Sequence, residues 1–351
     1  MQNPTRILLV GGGSGGHIIP NLAVSSELKA QNPSVQLLYI GSRNPPDRTL
    51  VEKAGIPFRS IFTGKLRRYF SMRNFIDPFQ VVIGIFQSIY FVARFWPDVV
   101  FTKGGFVSFP VTLAAFVLRR PVVLHESDAV MGLTNRITAK IATKVCVGFP
   151  NYLHLSDRFV LTGNPVRSSI LHGSKDRGYQ LTGFSVDRPV LLAWGGSQGA
   201  QEINDLIESR FSLLEPHFQI VHITGEGKAT SIHHPRYKSF DYLGEELRDI
   251  YAITDFIVGR AGANSLYELA LLQKPNLLLP LQNSAHNHQA RNAEYFEKAG
   301  ASIVVPAIDD FVPLLLSLLN DVDRQEKMRH ALASLSRPHA AKEIAELILH
   351  L

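Results

Sequence analysis

Short apolar runs alternate with longer helical patterns along the whole chain. In the first half, Arg6–Val10 has the composition of a buried strand, Gly11–Gly16 forms a glycine loop, and Leu22–Ala30 has helical periodicity. Three further strands are predicted at Val35–Ile40, Asp98–Thr102 and Pro121–Leu124. This strand–loop–helix rhythm predicts an α/β protein made of βαβ units around parallel sheets.

The same pattern restarts in the second half. Pro189–Trp194 predicts a strand, Gly195–Ala200 a glycine-rich turn, and the residues through about Leu214 a helix. Later strands are predicted at Phe218–Thr224, Phe256–Val258 and Asn276–Leu279. Each half therefore opens with a strand, a glycine turn and a helix.

A domain boundary is predicted at Thr162–Arg167, where Gly163-Asn164-Pro165 interrupts regular structure. A chain of 351 residues is long enough for two domains. We expect a first domain over residues 1–164 and a second over 165–334. The apolar content of 45% argues against disorder, and the single cysteine, Cys146, excludes a disulfide scaffold and favours a reducing compartment. The short apolar start, Ile7–Val10, does not predict a signal peptide.

Residues 78–93 form a run without charge inside Phe75–Phe95. It has 16 residues, fewer than the about 20 that a transmembrane helix needs. Two interpretations remain open: a core helix of the first domain, or a helix partly exposed at a bilayer interface.

Charge is unevenly distributed between the halves. Residues 1–164 carry a net charge of +10 and residues 165–351 a net charge of −4. The positive charge indicates that the first domain binds an anionic partner, either nucleic acid or a membrane leaflet. Nucleic acid is disfavoured because no nucleic-acid motif accompanies the charge.

The first glycine loop, Gly11–Gly16, matches G-x-G-x-x-G between a strand and a helix, a pattern that can cradle phosphate. The acid that a dinucleotide site needs after the second strand is missing from Leu38–Arg43, which disfavours a nicotinamide cofactor. His17 follows the loop directly. Histidine is well suited to proton transfer near neutral pH, and in the first helical turn it would point to the sheet edge.

From this loop onward the sequence resembles the MurG family of peptidoglycan N-acetylglucosaminyltransferases. The matching stretches, in order over about residues 6 to 305, are GGGSGGHIIPNLAVSSEL, KGGFVSFP, HESDAVMGLTNRITAKIATKV, TGNPVR, GGSQGAQEIN, GRAGANSLYELALLQKP and HNHQARNAEYFEKAGA. The resemblance implies a GT-B fold, in which two Rossmann-like parallel-sheet domains face each other across a cleft. It also implies that a C-terminal helix, about residues 335–351, returns to the first domain.

The resemblance further implies an inverting transfer of N-acetylglucosamine from UDP-GlcNAc to the C4 hydroxyl of undecaprenyl-diphosphate-linked N-acetylmuramoyl-pentapeptide. The implied partners are these two substrates and the anionic cytoplasmic leaflet of the cell membrane, where the protein would be peripheral. No cofactor is implied. The alternatives are another GT-B enzyme, such as a glycolipid transferase or a UDP-GlcNAc 2-epimerase, a non-catalytic sugar-nucleotide sensor, and an NAD-dependent oxidoreductase.

His17 is the first candidate for the catalytic base, with Asp128 and Glu126 behind it. The family usually has His-Glu-Gln-Asn where this chain has His125-Glu126-Ser127-Asp128, so Asp128 adds a negative charge or a second possible base. Glu126 has two equally acceptable roles, orienting a neighbouring group or acting as a structural carboxylate.

The donor site is expected at the glycine turns and at a helix beginning near Asn264 or Ser265, either of which could cap it. A helix N-terminus suits a diphosphate that gains charge on departure, Arg167 suits pyrophosphate or a carboxylate, and Glu268 can accept hydrogen bonds from a ribose diol. Asn292 is a weaker candidate. The UDP-GlcNAc-binding residues expected from the resemblance are Ser14, Gly15, Gly16, Asp128, Arg167, Ser197, Ala263, Asn264, Ser265, Leu266, Tyr267, Glu268 and Gln289.

Basic and aromatic residues upstream of the uncharged run could hold anionic headgroups and reach the acyl boundary. This expected membrane and acceptor patch comprises Lys65, Arg67, Arg68, Tyr69, Phe70, Arg73 and Phe75. No metal site is expected. His286 and His288 lack further ligands at metal spacing, and Asp321-Val322-Asp323 is better explained as a solvated surface.

Overall fold

The computed structural model of the chain describes residues 5–13, 15–64, 73–196, 199–228, 230–281 and 287–351. It divides into two compact units, Met1–Val166 with His339–Leu351, and Arg167–Pro338. Each unit is a parallel sheet with helices, as the apolar pattern predicts.

The strands of the first unit form one parallel sheet with the order β3-β2-β1-β4-β5-β6-β7. Its strands are β1 (Arg6–Val10), β2 (Gln36–Gly41), β3 (Phe58–Ser60), β4 (Val99–Thr102), β5 (Val122–Glu126), β6 (Lys144–Val147) and β7 (Phe159–Leu161). Its helices before the boundary are α1 (Gly15–Gln31), α2 (Pro45–Lys53), α3 (Arg73–Phe95), α4 (Ser108–Val117) and α5 (Leu133–Ile141). A short 3-10 helix spans Pro150–Leu155.

The second sheet is also parallel, with the order β10-β9-β8-β11-β12-β13. Its strands are β8 (Val190–Trp194), β9 (Gln219–Ile223), β10 (Tyr237–Phe240), β11 (Phe256–Gly259), β12 (Asn276–Leu278) and β13 (Ile303–Val304). The helices of this unit are α6 (Lys175–Thr182), α7 (Gln201–Leu214), α8 (Leu247–Ile253), α9 (Ala263–Leu272), α10 (His288–Lys298), α11 (Phe311–Asn320) and α12 (Val322–Leu335). Short 3-10 helices span Ser168–Leu171 and Ile308–Asp310.

The chain then returns to the first unit as α13 (Ala340–Leu349). Ile344 and Ile348 of this helix pack into the same buried cluster as Ile7 and Leu9 of β1. The alternate β1 residues, including Leu8, enter a second cluster on the other face of the sheet. A strand buried on both faces reads as a continuous apolar run, which explains why β1 is visible in the sequence.

The strands predicted from the sequence are confirmed, with ends that differ by one or two residues. The sequence prediction placed His17 in a first helical turn and a helix over Leu22–Ala30, and both lie in α1, but it missed that the last two loop glycines are helical. It also omitted β3, β6, β7, β10 and β13. Four of these are sheet edges, where strands are short and carry little apolar signal.

Candidate functional site

The catalytic candidates of the first unit meet at one point of its sheet. In open parallel sheets, ligands bind at the carboxyl ends of the strands where the strand order reverses, which here is between β1 and β4. His17 lies in the helix after β1, Lys103 directly follows β4, and Glu126 ends the neighbouring β5. Their positions along the chain therefore put all three at the same sheet edge.

His17 is held in one tautomer by the backbone. Its Nδ1 lies 3.3 Å from the carbonyl oxygen of Lys103. Because a carbonyl only accepts, Nδ1 carries the proton and Nε2 keeps the basic lone pair. Burial and the positive charge of Lys103 lower the pKa of His17 below its usual 6.5. The ring is therefore neutral at pH 7 and able to take a proton.

Two consecutive glycines shape the backbone beside His17. Gly104 and Gly105 both adopt a φ of +83°, in the region that favours glycine. A Cβ on Gly104 would lie 2.3 Å from Oδ1 of Asn135, and one on Gly105 would lie 3.4 Å from Nε2 of His17. Glycine is thus required for packing at the first position and keeps space at Nε2 at the second.

Glu126 is buried and uses both carboxylate oxygens. Oε1 accepts the backbone N–H of Asp128 at 2.9 Å, and Oε2 accepts Nδ2 of Asn135 at 2.8 Å. Burial and the nearby Asp128 raise the pKa of Glu126 to about 7. Of its two expected roles, these bonds favour orienting a neighbour, because the carboxylate holds the loop that carries Asp128.

Lys103 and His125 are site residues that the sequence analysis did not single out. The Lys103 ammonium lies 2.8 Å from Nδ1 of His125 and donates to the Ser127 hydroxyl. Nε2 of His125 lies 2.8 Å from the carbonyl oxygen of Gly163. The KGGF and HESD stretches were visible as motifs, but no spacing rule indicated that their side chains meet.

The glycine loop itself is bound by a carboxylate of the protein. Oδ2 of the buried Asp47 accepts the N–H of Gly13 at 2.9 Å and the hydroxyl of Ser42 at 2.5 Å. The amide of Gly13 is therefore taken by a carboxylate of the protein, while phosphate binding at Ser14, Gly15 and Gly16 stays a prediction. Gly15 and Gly16 are the first residues of α1, and Ser14 lies outside the described residues.

The second unit repeats the arrangement at the reversal point between β8 and β11. α9 begins there at Ala263 with Gly262 as its N-cap, and the structure gives this N-cap no side-chain hydrogen bond. The expectation that Asn264 or Ser265 caps the helix is therefore wrong, since both lie within its first turn. Ser197, in the turn after β8, lies outside the described part of the chain.

Glu268 forms the titratable centre of the second unit. Its Oε2 accepts the hydroxyl of Tyr251 at 2.9 Å, and the half-buried carboxyl has its pKa raised to about 7 by burial. The Tyr251 bond and the charge of Arg167 act in the opposite direction and lower it. Arg167, which is exposed, therefore lies near enough for its charge to act on Glu268. Tyr251 could not be predicted, because nothing in its sequence context marks it.

The other donor candidates are buried or half-buried. Leu266 and Tyr267 are buried, and the Tyr267 ring packs edge-on against Phe296, so only their backbone could meet a ligand. Gln289 lies in the first turn of α10, and its side-chain Oε1 accepts the backbone N–H of Leu281 at 3.0 Å. Asn292 is buried and donates to the carbonyl of Ala261 at 3.2 Å, which makes it a support for the loop before α9.

A third feature is an apolar surface on the first unit, here called the α3 face. Its α3 residues share one side of the helix and are exposed: Phe79, Val82, Ile83, Phe86 and Tyr90. The opposite side of α3 is buried through Gly84, Ser88 and Val92. One side of the uncharged run therefore packs in the core, as the first interpretation predicts, and the other side is exposed.

The α3 face continues onto α4 and α5, which pack in sequence beside α3. These two helices add the exposed apolar residues Phe116, Val117, Leu133 and Ile137. Exposed cations lie among them: Arg119, Arg136 and Lys140. Of the predicted patch, Lys65, Arg67, Arg68, Tyr69 and Phe70 lie outside the described residues, as do the side chains of Arg73 and Phe75 at the start of α3.

Comparison with known proteins identifies the two units as parts of one enzyme family. Residues 7–147 match the glycosyltransferase family 28 N-terminal domain, and residues 190–348 match the glycosyltransferase family 28 C-terminal domain. The chain is similar over 351 residues, at 41% identity, to the UDP-N-acetylglucosamine–N-acetylmuramyl-(pentapeptide) pyrophosphoryl-undecaprenol N-acetylglucosamine transferase of Clostridium kluyveri, covering 99% of this chain and 98% of that protein.

A protein of the same name from Lachnospira eligens is 43% identical over 309 residues, which are 87% of each chain. Among solved structures, MurG from Acinetobacter baumannii matches with a TM-score of 0.77 at 23% identity, covering 99% of this chain and 100% of that one. The predicted fold class, two Rossmann-like parallel-sheet domains of the GT-B type, is confirmed.

Proposed function

Because the chain belongs to the family of UDP-N-acetylglucosamine–N-acetylmuramyl-(pentapeptide) pyrophosphoryl-undecaprenol N-acetylglucosamine transferases, we propose that it transfers N-acetylglucosamine from UDP-GlcNAc to a lipid-linked muramoyl-pentapeptide. The resemblance to the MurG family is confirmed by these relatives. The acceptor's C4 hydroxyl attacks the anomeric carbon from the face opposite UDP, so the configuration inverts. The protein is a hexosyltransferase of peptidoglycan synthesis.

The observation that carries the catalytic assignment is the orientation of His17. Its Nδ1 proton is donated to a carbonyl, its pKa is lowered by burial and by Lys103, and Nε2 is the basic atom. These properties suit the base that removes the acceptor's hydroxyl proton. Glu126 is less suited, because both of its oxygens accept hydrogen bonds from the protein. Asp128, half-buried beside this loop, is the second candidate for the base.

The second unit supplies the donor site in this proposal. The first turn of α9 offers backbone N–H groups for the UDP diphosphate, whose charge grows as the sugar leaves. Arg167 assists there, Glu268 accepts ribose hydroxyls, and Gln289 contributes its amide N–H groups to the sugar. Ser197 in the turn after β8 completes the set. The coupling between Arg167 and Glu268 supports this assignment.

The first unit takes the lipid-linked acceptor and the membrane in this proposal. No helix among the described residues combines the length and apolar content needed to cross a bilayer. The α3 face instead supports peripheral attachment, because apolar side chains and cations lie together on it. The net charge of +10 on residues 1–164 favours the anionic cytoplasmic leaflet. The predicted basic patch from Lys65 to Phe75 precedes this face in sequence and belongs to the same proposal.

The deciding experiment supplies labelled UDP-GlcNAc and a synthetic undecaprenyl-diphosphate muramoyl-pentapeptide to the purified protein. The expected product is the lipid-linked disaccharide with a β-linkage, together with free UDP. Release of a C2-inverted sugar without acceptor would identify an epimerase instead. No disaccharide, with an active control enzyme in the same assay, would contradict the proposal.

A further inference from the structure

Lys103 connects the three segments that carry the candidate catalytic groups. Its side chain is 1% exposed, although it ends in an ammonium group. The ammonium lies 2.8 Å from Nδ1 of His125, which is within β5, and it donates to the hydroxyl of Ser127, which follows β5. Its backbone carbonyl accepts Nδ1–H of His17 from α1. One residue at the end of β4 is thus tied to both neighbouring segments.

The direction of these hydrogen bonds is determined by the carbonyl of Gly163. Because that carbonyl only accepts, Nε2 of His125 carries the ring proton and Nδ1 is left as an acceptor for Lys103. Burial and the adjacent Lys103 charge hold the pKa of His125 well below its usual range, which keeps the ring neutral. His125 therefore serves as a fixed neutral acceptor that positions the ammonium.

A buried ammonium is unfavourable unless opposite charges lie nearby. Burial lowers the pKa of Lys103 to about 7, while the charges of Glu126 and Asp128 favour its protonated form. The same ammonium opposes protonation of His17, whereas Asp128 and Asp47 favour it. Lys103 and His17 of α1 are surrounded by further titratable groups. These are Asp47 from α2, His125 and Glu126 from β5, Asp128 after β5, and Cys146 from β6.

The two residues that depart from the family's usual His-Glu-Gln-Asn both interact with this lysine. Ser127 accepts a hydrogen bond from the Lys103 ammonium, and the added charge of Asp128 interacts favourably with it. Both departures are therefore compatible with a cation behind the site.

We propose that Lys103 is a positioning residue for the transfer reaction: its ammonium balances the Glu126–Asp128 carboxylates and keeps the His17 ring neutral, while its carbonyl orients that ring. The inference rests on the proposed role of His17 as the base. Lys103 acts through His17 and through the 125–128 segment and needs no contact with substrate.

The test compares the pH dependence of kcat at saturating substrates for wild type, Lys103→Met and Lys103→Arg. Methionine keeps the carbonyl and most of the side-chain volume but removes the charge. We expect kcat to fall about tenfold or more, within the range that general base catalysis supplies. The acid limb should move to higher pH, because His17 becomes easier to protonate. KM for UDP-GlcNAc should change less than about twofold, since the proposed donor groups lie elsewhere.

The arginine variant is the matched control, because it keeps the cation in a larger side chain. Its acid limb should stay at the wild-type pH even if its kcat falls. A purely structural role for Lys103 would lower kcat or stability in both variants without moving the acid limb. An NMR titration of the His17 ring measures the same shift without turnover. An unchanged acid limb and an unchanged His17 titration in Lys103→Met would overturn the inference.

If Lys103→Met does not fold, the double variant Lys103→Met with Asp128→Asn replaces it in the test, because it removes one positive and one negative charge together. Its acid limb should lie above that of Asp128→Asn alone, and coincidence of the two would contradict the inference. A wild-type chain that makes no disaccharide would remove the proposed function and this inference with it. An active wild-type enzyme, together with variants whose acid limbs do not move, would contradict only the inference about Lys103.

Discussion

The two units place their polar groups at equivalent points of similar sheets but hold them in different ways. In the first unit, each buried titratable side chain is held by a hydrogen bond from within the protein: Lys103 by His125, Glu126 by Asn135, and Asp47 by the backbone of the glycine loop. In the described part of the second unit, the corresponding edge presents the first turn of α9 and one half-buried carboxyl, Glu268, held by Tyr251.

This difference matches what the two proposed substrates require. Moving a proton from the acceptor needs a base with a fixed tautomer and a shifted pKa, which the hydrogen-bonded groups around His17 provide. Holding a nucleotide diphosphate needs N–H donors and hydroxyl acceptors, which a helix N-terminus and one carboxylate can supply. We therefore expect changes in the first unit to lower kcat and changes in the second to raise the KM for UDP-GlcNAc.

The largest effect is expected for His17→Ala. Loss of the base should lower kcat by about 10²–10⁴-fold, while UDP binding by the second unit stays within about twofold. Steady-state kinetics with a calorimetric UDP titration measures both quantities. His172→Ala in the second unit is a matched control and should leave kcat unchanged. A His17→Ala enzyme within a few-fold of wild type would transfer the role to Asp128.

Glu268→Gln should show the opposite behaviour. A hydrogen bond to a charged acceptor contributes about 1.5–3 kcal/mol, so KM for UDP-GlcNAc should rise about 10–10²-fold with a smaller change in kcat. The pKa near 7 predicts that wild-type donor affinity falls as the pH drops below about 7, since the protonated carboxyl accepts hydroxyls less well.

The pH dependence provides the control for this assignment. Tyr251→Phe removes a hydrogen bond that lowers the pKa of Glu268, so the loss of affinity should begin at a higher pH. Glu268→Gln should show no such transition. A transition that persists in the Gln variant would show that another group titrates.

The sequence predicted the sheets well because their central strands are continuously apolar. Val190–Trp194 and Phe256–Gly259, for example, lie at the middle of the second sheet and are nearly all buried. Edge strands such as Tyr237–Phe240 carry exposed polar residues and could not be distinguished from loops. The local pattern of apolar residues indicates which elements are buried, so it does not identify an element that is half exposed.

The candidate site was predictable only where a residue lies at or just beyond the end of a strand in a recognisable motif, as Glu126 and His17 do. Asp47, Tyr251 and the role of Lys103 were missed because each acts through a contact distant in sequence. Asp47 reaches Gly13 from α2, 34 positions along the chain. No periodicity or spacing rule encodes such a contact, since it depends on how helices pack beside the sheet.

Asp47→Ala tests whether the first unit's network also stabilises the fold. It leaves the amide of Gly13 and the hydroxyl of Ser42 without their acceptor, so the free energy of unfolding should fall by about 1–3 kcal/mol. Urea denaturation measures this change. Glu52→Ala, on the same helix in an exposed ion pair with Arg48, should cost less than about 0.5 kcal/mol. Equal losses in the two variants would contradict a structural role for Asp47.

The smallest effect is expected at the α3 face, the surface by which the first unit is proposed to bind the membrane. Phe79 and Phe86 are 73% and 69% exposed, and inserting each ring into a leaflet should remove apolar area from water. Phe79→Ser with Phe86→Ser should weaken binding to anionic vesicles about tenfold, as measured by sedimentation, and leave UDP binding intact. Replacing Arg67, Arg68 and Arg73 with serine should weaken it further at low salt. Val322→Ser, at an equally exposed apolar site in the second unit, should change nothing. Vesicle binding that is insensitive to both sets of changes would mean that the leaflet contacts another surface.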